Sequence, residues 1–419
     1  MRMTPLHQWA QEKTGGLPIE AWQLKKLRDT LTLARNSLFY RERLPGTMPE
    51  HIADIRRLPL MEMGTMVRQE QQLLCVPPQE IQRIVTIWTS GTTGRPKRLY
   101  FTAQDLELTI DFFARGLPTL VKPGDVMAVM MPCRVTSGVG DLICRGLKRI
   151  PVDAVPWGPL TSFAETKAML QDKNVTSIVG MPAQVLALTR YLAITNAKTS
   201  LQSVLLSADN ISPAMVRELK ERGLQVYLHF GMTETGYGCA IDCDAHAGQH
   251  IREPDLLVEI VDPITGQPMP DGHWGEIVIT TLTRRGMPLI RYRTGDYSRI
   301  LPGTCPCGST LRRLDNVHGR WNDGLVLPKG TLRMPALDQA LFAFPQVMDF
   351  SVHYTNGLLS LYLATFSGMP ALTEDAVRKA LAPIFPLTGV EIAIEIEPCD
   401  EYVPLHQTKR SFATEGGAS

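Results

Sequence analysis

The chain has 419 residues, with 43 Lys plus Arg against 42 Asp plus Glu, a formal net charge of +1. That length predicts two or three domains of roughly 150 residues each, and 44% apolar with 20% charged residues is the balance of an ordinary globular protein. Near-neutral charge without a basic block excludes a nucleic-acid binder whose affinity rests on phosphate neutralisation, and no apolar run approaches the roughly 18 residues of a membrane span.

In chain order, the first forty residues read as helical, because Leu24, Leu27, Leu31, Ala34 and Leu38 recur at spacings of three and four on one face. Met1 to Gln8 has no apolar h-region, so no signal peptide is expected. The eight cysteines of so long a chain do not read as a disulfide framework, which places the protein in the cytoplasm. Beyond residue 100, strand-like runs at 126–130, 177–179, 204–206 and 226–228 alternate with helical segments around 103–115, 163–172, 183–193 and 213–222. That alternation predicts an α/β domain with helical crossovers. Residues 256–300 turn β-rich, with antiparallel strands at 257–261 and 276–279.

After about residue 320 a smaller unit begins. Phe350 to Phe366 reads as a hairpin turning at Asn356-Gly357. A helix capped by Thr373 follows, then a strand of period two at Val390–Ile396. The expected fold is therefore α/β: a large N-terminal domain (1–319) with a β-rich subdomain, and a small, mobile C-terminal α+β domain (320–419). Ala413 to Ser419 are expected to fray.

Three segments carry chemistry. Thr89-Ser90-Gly91-Thr92-Thr93-Gly94-Arg95-Pro96-Lys97 lies between two strand-like runs; its small residues let the backbone approach an anion while amides and hydroxyls donate to it. It is not a Walker loop, since no Gly-Lys-Ser/Thr closes it. Phe230-Gly231-Met232-Thr233-Glu234 follows a buried strand and sets a hydroxyl and a carboxylate at a strand end, where α/β sheets bind ligands. Arg291-Tyr292-Arg293-Thr294-Gly295-Asp296 ends the second antiparallel strand and offers a carboxylate to sugar hydroxyls.

In that order and spacing the three segments resemble the acyl-adenylate-forming superfamily, with the phenylacetate–coenzyme A ligase family as the nearest likeness. Leu38-Phe39-Tyr40-Arg41 and Met287-Pro288-Leu289-Ile290 preceding Arg291 resemble that family's characteristic versions. The likeness implies an AMP-forming ligase that joins a carboxylic acid, aryl or arylacetic, to ATP as an acyl-adenylate and then to the thiol of coenzyme A. It implies that Thr89, Ser90, Gly91, Thr92, Thr93, Gly94 and Lys97 hold the β- and γ-phosphates of ATP. Thr233 meets the α-phosphate and Glu234 ligates Mg²⁺, a hard cation that takes oxygen ligands. Asp296 binds the ribose, Phe230 and Gly231 lie at the adenine with Ala208 and Asp209, and Arg320 stands at the nucleotide near the domain junction. From the C-terminal domain Lys409 reaches the acid and the α-phosphate, although the family's Gly-Lys pair is replaced by Thr408-Lys409. Asp323 occupies the hinge, and residues 131–141 form one wall of the acid pocket. A carrier-protein thiol is the alternative acceptor, a degenerate nucleotide-binding partner protein the alternative class, and a homodimer the candidate assembly.

Cysteine spacing makes a separate claim. Cys243-x-x-His246 and Cys305-Pro306-Cys307-Gly308 supply three thiols and an imidazole, the donor set of a closed tetrahedral Zn²⁺ site. Cys239 and His250 lie close enough in sequence to compete for it.

Overall fold

Thr4 caps the first helix, α1 (Pro5–Thr14), by accepting from the His7 amide, and Gly15 closes it in the left-handed region at φ 62°. In α2 (Ile19–Ala34) the apolar stripe holds for Leu27, Leu31 and Ala34, which are buried. Leu38 departs from it: it opens a separate one-turn helix, α3 (Leu38–Arg41), is 62% exposed, and leaves the core to Phe39 and Tyr40. The computed structural model describes residues 4–87, 96–327, 330–384, 390–406, 410 and 412–414.

After α4 (Met63–Gln69), strands β1 (Ile81–Ile87) and β2 (Lys97–Thr102) pair antiparallel, with Ile87 opposite Lys97. The polar segment between them therefore springs from a hairpin. Most of it, Trp88 to Arg95, lies outside the described residues. Helix α5 (Ala103–Gly116) begins in a capping box of Thr102 and Asp105. The Asp105 carboxylate also accepts from the Arg285 and Gly286 amides, which ties this helix to a loop 180 residues away.

The predicted alternation then follows: β3 (Val126–Met130), α6 (Val139–Leu147), β4 (Asp153–Pro156), α7 (Phe163–Asp172), β5 (Ser177–Gly180), α8 (Pro182–Ile194), β6 (Ser203–Leu206), α9 (Pro213–Glu221) and β7 (Gln225–Phe230). The five strands are parallel, in the order β4-β3-β5-β6-β7. Strands β3, β5 and β6 are buried almost throughout, as parallel strands covered on both faces must be. Antiparallel strands β8 (Ala240–Ile241) and β9 (Gln249–Ile251) extend the sheet beyond β7.

The β-rich subdomain is a three-stranded antiparallel sheet of β10 (Leu256–Val261), β11 (Gly275–Thr281) and β12 (Tyr292–Ser298). Here the Arg-Thr-Gly-Asp segment differs from expectation. It does not end β11 but forms β12, its own strand, because Met287 to Ile290 are buried and carry the chain back across the sheet. Strands β13 (Ile300–Leu301) and β14 (Arg313–Leu314) then close onto β9 at the far edge of the large sheet.

The C-terminal unit follows a two-stranded ribbon, β15 (Leu325–Leu327) and β16 (Gly330–Leu332). It contains α10 (Met334–Leu341), β17 (Val347–Thr355), β18 (Leu358–Phe366), α11 (Glu374–Leu381) and β19 (Glu391–Cys399). The hairpin turns at Asn356 and Gly357, both at positive φ, as the dipeptide predicts. Ala413 and Thr414, expected to fray, instead form β20, which pairs parallel with β17. Apolar side chains of α8 and α9 share one continuous core with those of α10, β17 and β18. Arg190 of α8 crosses into that unit, donating to the carbonyls of Val347 and of Phe342 (2.7 Å) and to Glu218.

Candidate active site

The C-terminal ends of β3, β6 and β7 open on one side of the sheet, where the chain leaves each strand in an irregular segment. After β7, Gly231 passes so close to Tyr237 that a Cβ there would stand 1.9 Å from the Tyr237 carbonyl oxygen. Only glycine lets the following turn fold back. That turn, a 3-10 segment over Thr233–Thr235 closed by Gly236 at φ 71°, buries Glu234. Phe230, at the strand end, packs in a core with Cys239, Ala240 and Ile251.

Glu234 does not stand alone. The ammonium of Lys97, at the start of β2, pairs with its Oε1, and the Tyr292 hydroxyl, at the start of β12, donates to the same oxygen at 3.1 Å. Arg284 donates to the Glu234 carbonyl and lies 4.0 Å from the ring centre of Phe101. Burial alone would raise the Glu234 carboxyl, but the Lys97 charge and the two hydrogen bonds outweigh it and hold the group below the ordinary carboxylate value. Burial and the neighbouring carboxylate push the Tyr292 phenol well above its usual range, so it acts as a donor only. Lys97, expected at the phosphates, is thus placed on Glu234. Tyr292 lay within a segment already singled out and Arg284 did not; both gain their place through contacts to Glu234, 58 and 50 residues away in sequence.

Asp296 and Arg320 come together as well. They form an isolated antiparallel bridge, and Arg320 Nε stands 3.8 Å from Asp296 Oδ1. Ala208 and Asp209 follow β6, with Ala208 at a positive φ of 74°. Residues 131–141 follow β3, with Asp141 of α6 accepting from the Ser137 amide at 2.8 Å. Thr89, Ser90, Gly91, Thr92, Thr93, Gly94 and Lys409 lie outside the described residues.

The cysteines gather as the spacing suggested, with one change. Donor atoms of Cys243, His250, Cys305 and Cys307 all lie within 4.8 Å of one another. Cys243 Sγ is 3.7 Å from Cys305 Sγ, and Cys307 Sγ is 3.2 Å from His250 Nε2. His246 is not in the group: at φ 46° it turns back, and its Nδ1 meets Asp242 at 3.0 Å. Strand pairing explains the exchange, because β9 sets His250 opposite Arg313 of β14, beside the Cys305–Cys307 knuckle. Among the described residues Cys239 also stands apart, fully buried. The His250 Nδ1 faces the Leu311 carbonyl at 3.2 Å, which fixes that nitrogen as the protonated one and turns the Nε2 lone pair toward the sulfurs. Three thiols and one so-oriented imidazole fit a tetrahedral, closed metal site.

Comparison with known proteins shows what the chain is similar to. A phenylacetate-coenzyme A ligase from Thermus thermophilus is 32% identical over 67% of this chain and 63% of its own length, so the chain spans less than two-thirds of that relative. One from Escherichia coli is 29% identical over 80% of this chain and 78% of its own. Among solved structures, 2-hydroxyisobutyryl-CoA ligase in the postadenylation state, in complex with 2-HIB-AMP, superposes with a TM-score of 0.79 at 20% identity, covering 94% of this chain and 89% of that one. The same ligase in the thioesterification state superposes with a TM-score of 0.67 at 21% identity, covering 95% of this chain and 90% of that one. Residues 27–283, which hold the β1–β2 hairpin, the Glu234 turn and the first two strands of the β-rich subdomain, match the model of the AMP-binding enzymes, and the chain belongs to that family.

Proposed function

We infer that the protein is an AMP-forming acid–coenzyme A ligase. It joins a carboxylate to the α-phosphorus of ATP, releasing pyrophosphate, and then passes the acyl group to the thiol of coenzyme A, releasing AMP. The observation that carries this reading is the buried Glu234 carboxylate on the turn after β7, held ionised by Lys97 and Tyr292 at the mouth of the sheet. Little covalent chemistry is asked of the protein, because the substrate carboxylate is already a nucleophile. Catalysis is in-line positioning and neutralisation of phosphate charge.

In this reading Glu234 would hold Mg²⁺, which would supply neutralisation of phosphate charge, and Lys97, paired with Oε1 here, would serve the phosphates with Thr89 to Gly94. Thr233 contacts the α-phosphate, Asp296 the ribose, and Phe230, Gly231, Ala208 and Asp209 the adenine side, with Arg320 beside Asp296. Lys409 serves the adenylation step. The reacting acid is aryl or arylacetic, in keeping with the relatives named above, and the lid is residues 320–419 turning about Asp323. Cys243, His250, Cys305 and Cys307 hold a structural Zn²⁺, which would clip the chain after β8 to the loop before β14; all four positions come from protein, so it takes no part in the chemistry.

Pyrophosphate release measured over a panel of acids tests the first half-reaction. Supplying coenzyme A or a phosphopantetheinylated carrier protein in the second then separates the two thiol acceptors. No pyrophosphate release with any acid would point instead to a nucleotide-binding partner protein.

A further inference from the structure

We propose that Arg410 is a positioning residue that seats the C-terminal tail on the rim of the nucleotide site. Its side chain is 2% exposed and lies in a socket built by both units of the protein. From the large unit, Asp209, just beyond β6, stands 3.5 Å from Arg410 Nε and the same distance from its backbone amide. From the small unit, Asp338 of α10 lies 3.1 Å from Nη2 and Asp349 of β17 lies 3.7 Å from Nη1. The rings of Phe342 and Phe350 pack at 4.8 and 5.5 Å from the guanidinium carbon. Asn210 joins the same seam, donating to Asp338 at 2.6 Å.

One guanidinium therefore faces three carboxylates, two of them buried on the small unit. Such a socket is costly when empty, because the acids are then stranded without a counter-charge. Filling it holds the tail across the seam between the units. Arginine suits the task, since it stays charged when buried, and here its guanidinium nitrogens face the carboxylates as ion pairs without hydrogen-bond geometry. Asp209 is the contact that gives the seat its functional meaning, for it adjoins Ala208 at the mouth of the sheet. Lys409, the covalent neighbour of Arg410, is the lysine assigned to adenylation. Seating Arg410 thus commits the arrangement seen here to the first half-reaction, and this inference rests on the ligase reading above.

The test compares Arg410→Gln with wild type in both half-reactions. Pyrophosphate formation should slow by about tenfold or more, while use of a preformed acyl-adenylate with coenzyme A changes by less than about twofold, since an interaction made in one transition state accelerates that step alone. Equal slowing of both, or of neither, would overturn the proposal. Should Arg410→Gln fail to fold, Asp209→Asn removes only the large-unit anchor and leaves Asp338 and Asp349 to neutralise the arginine. Amide exchange across 402–412, measured without nucleotide, should then quicken while β17 and β18 stay protected. A wild-type tail that exchanges as fast as the variant's would also overturn it. A protected wild-type tail in a protein that releases no pyrophosphate with any acid would overturn the ligase reading and leave the seat standing.

Discussion

The Tyr292 hydroxyl donates to Glu234 Oε1 across 3.1 Å, joining the first residue of a strand in the β-rich subdomain to a turn at the end of the large sheet. Together with Lys97 it keeps a fully buried carboxylate ionised. Glu234→Gln should therefore leave the fold intact and cut adenylation by about 100-fold or more, the scale of losing one charge-stabilising group. Tyr292→Phe removes one hydrogen bond to a charged group and should cost about tenfold. Pyrophosphate exchange measures both, and wild-type exchange in Glu234→Gln would remove that residue from the site.

The metal assignment makes a sharp distinction between two histidines. His250→Ala, like Cys305→Ser with Cys307→Ser, should abolish zinc retention and lower the melting temperature, whereas His246→Ala should retain the metal. Elemental analysis of protein purified without added metal gives about one equivalent in wild type if binding contributes folding energy. Retention by His250→Ala and loss by His246→Ala would reverse the choice.

Arg190 fastens the two units through backbone carbonyls rather than through a second charge. Its replacement by Met would leave the Val347 and Phe342 carbonyls buried without that donor, while Arg222 still serves Glu218 at 2.7 Å. The expected loss is about 3 kcal/mol, read as a lower denaturant midpoint. An unchanged midpoint would mean that the shared apolar core alone holds the units together.

His229 gives the fold an acid-sensitive point. Its ring lies buried between Phe112 and Phe113, and its Nδ1 meets Ser207 Oγ at 2.7 Å. Burial lowers its pKa from 6.5 to about 4. Between those values the unfolded chain binds a proton that the folded chain refuses. Stability is therefore lost as pH falls from 6.5 toward 4, by an amount on the order of 3 kcal/mol. Glu253 opposes this: burial raises it from 4.5 to about 7, so its contribution falls as pH rises through that window. His229→Gln, which cannot titrate, should flatten the acid limb of a melting-temperature profile. An identical limb would assign the acid loss elsewhere.

Lys409→Ala should slow formation of the acyl-adenylate while barely changing use of a preformed one. If both half-reactions keep wild-type rates, Lys329 is the next lysine to replace.

The alternation of short apolar runs and helical segments by itself determined the α/β sheet, and with it the strand end that carries Thr233 and Glu234. Period and turn chemistry are local, so the β17–β18 hairpin at Asn356-Gly357 was legible in the same way. The cysteine knuckle was legible because two of its donors are two residues apart. What the sequence could not decide was which distant groups meet. Nearness in the chain favours His246, but pairing of β9 with β14 delivers His250, four residues further on. Lys97 reads as a phosphate ligand from its loop, yet it lies against a carboxylate 137 residues away. Tyr292 and Arg410 read as ordinary members of polar runs until packing buries them against acids. The reason is common to all four. Burial and electrostatic pairing are set by side chains brought together through tertiary contacts, and spacing along the chain carries no record of them.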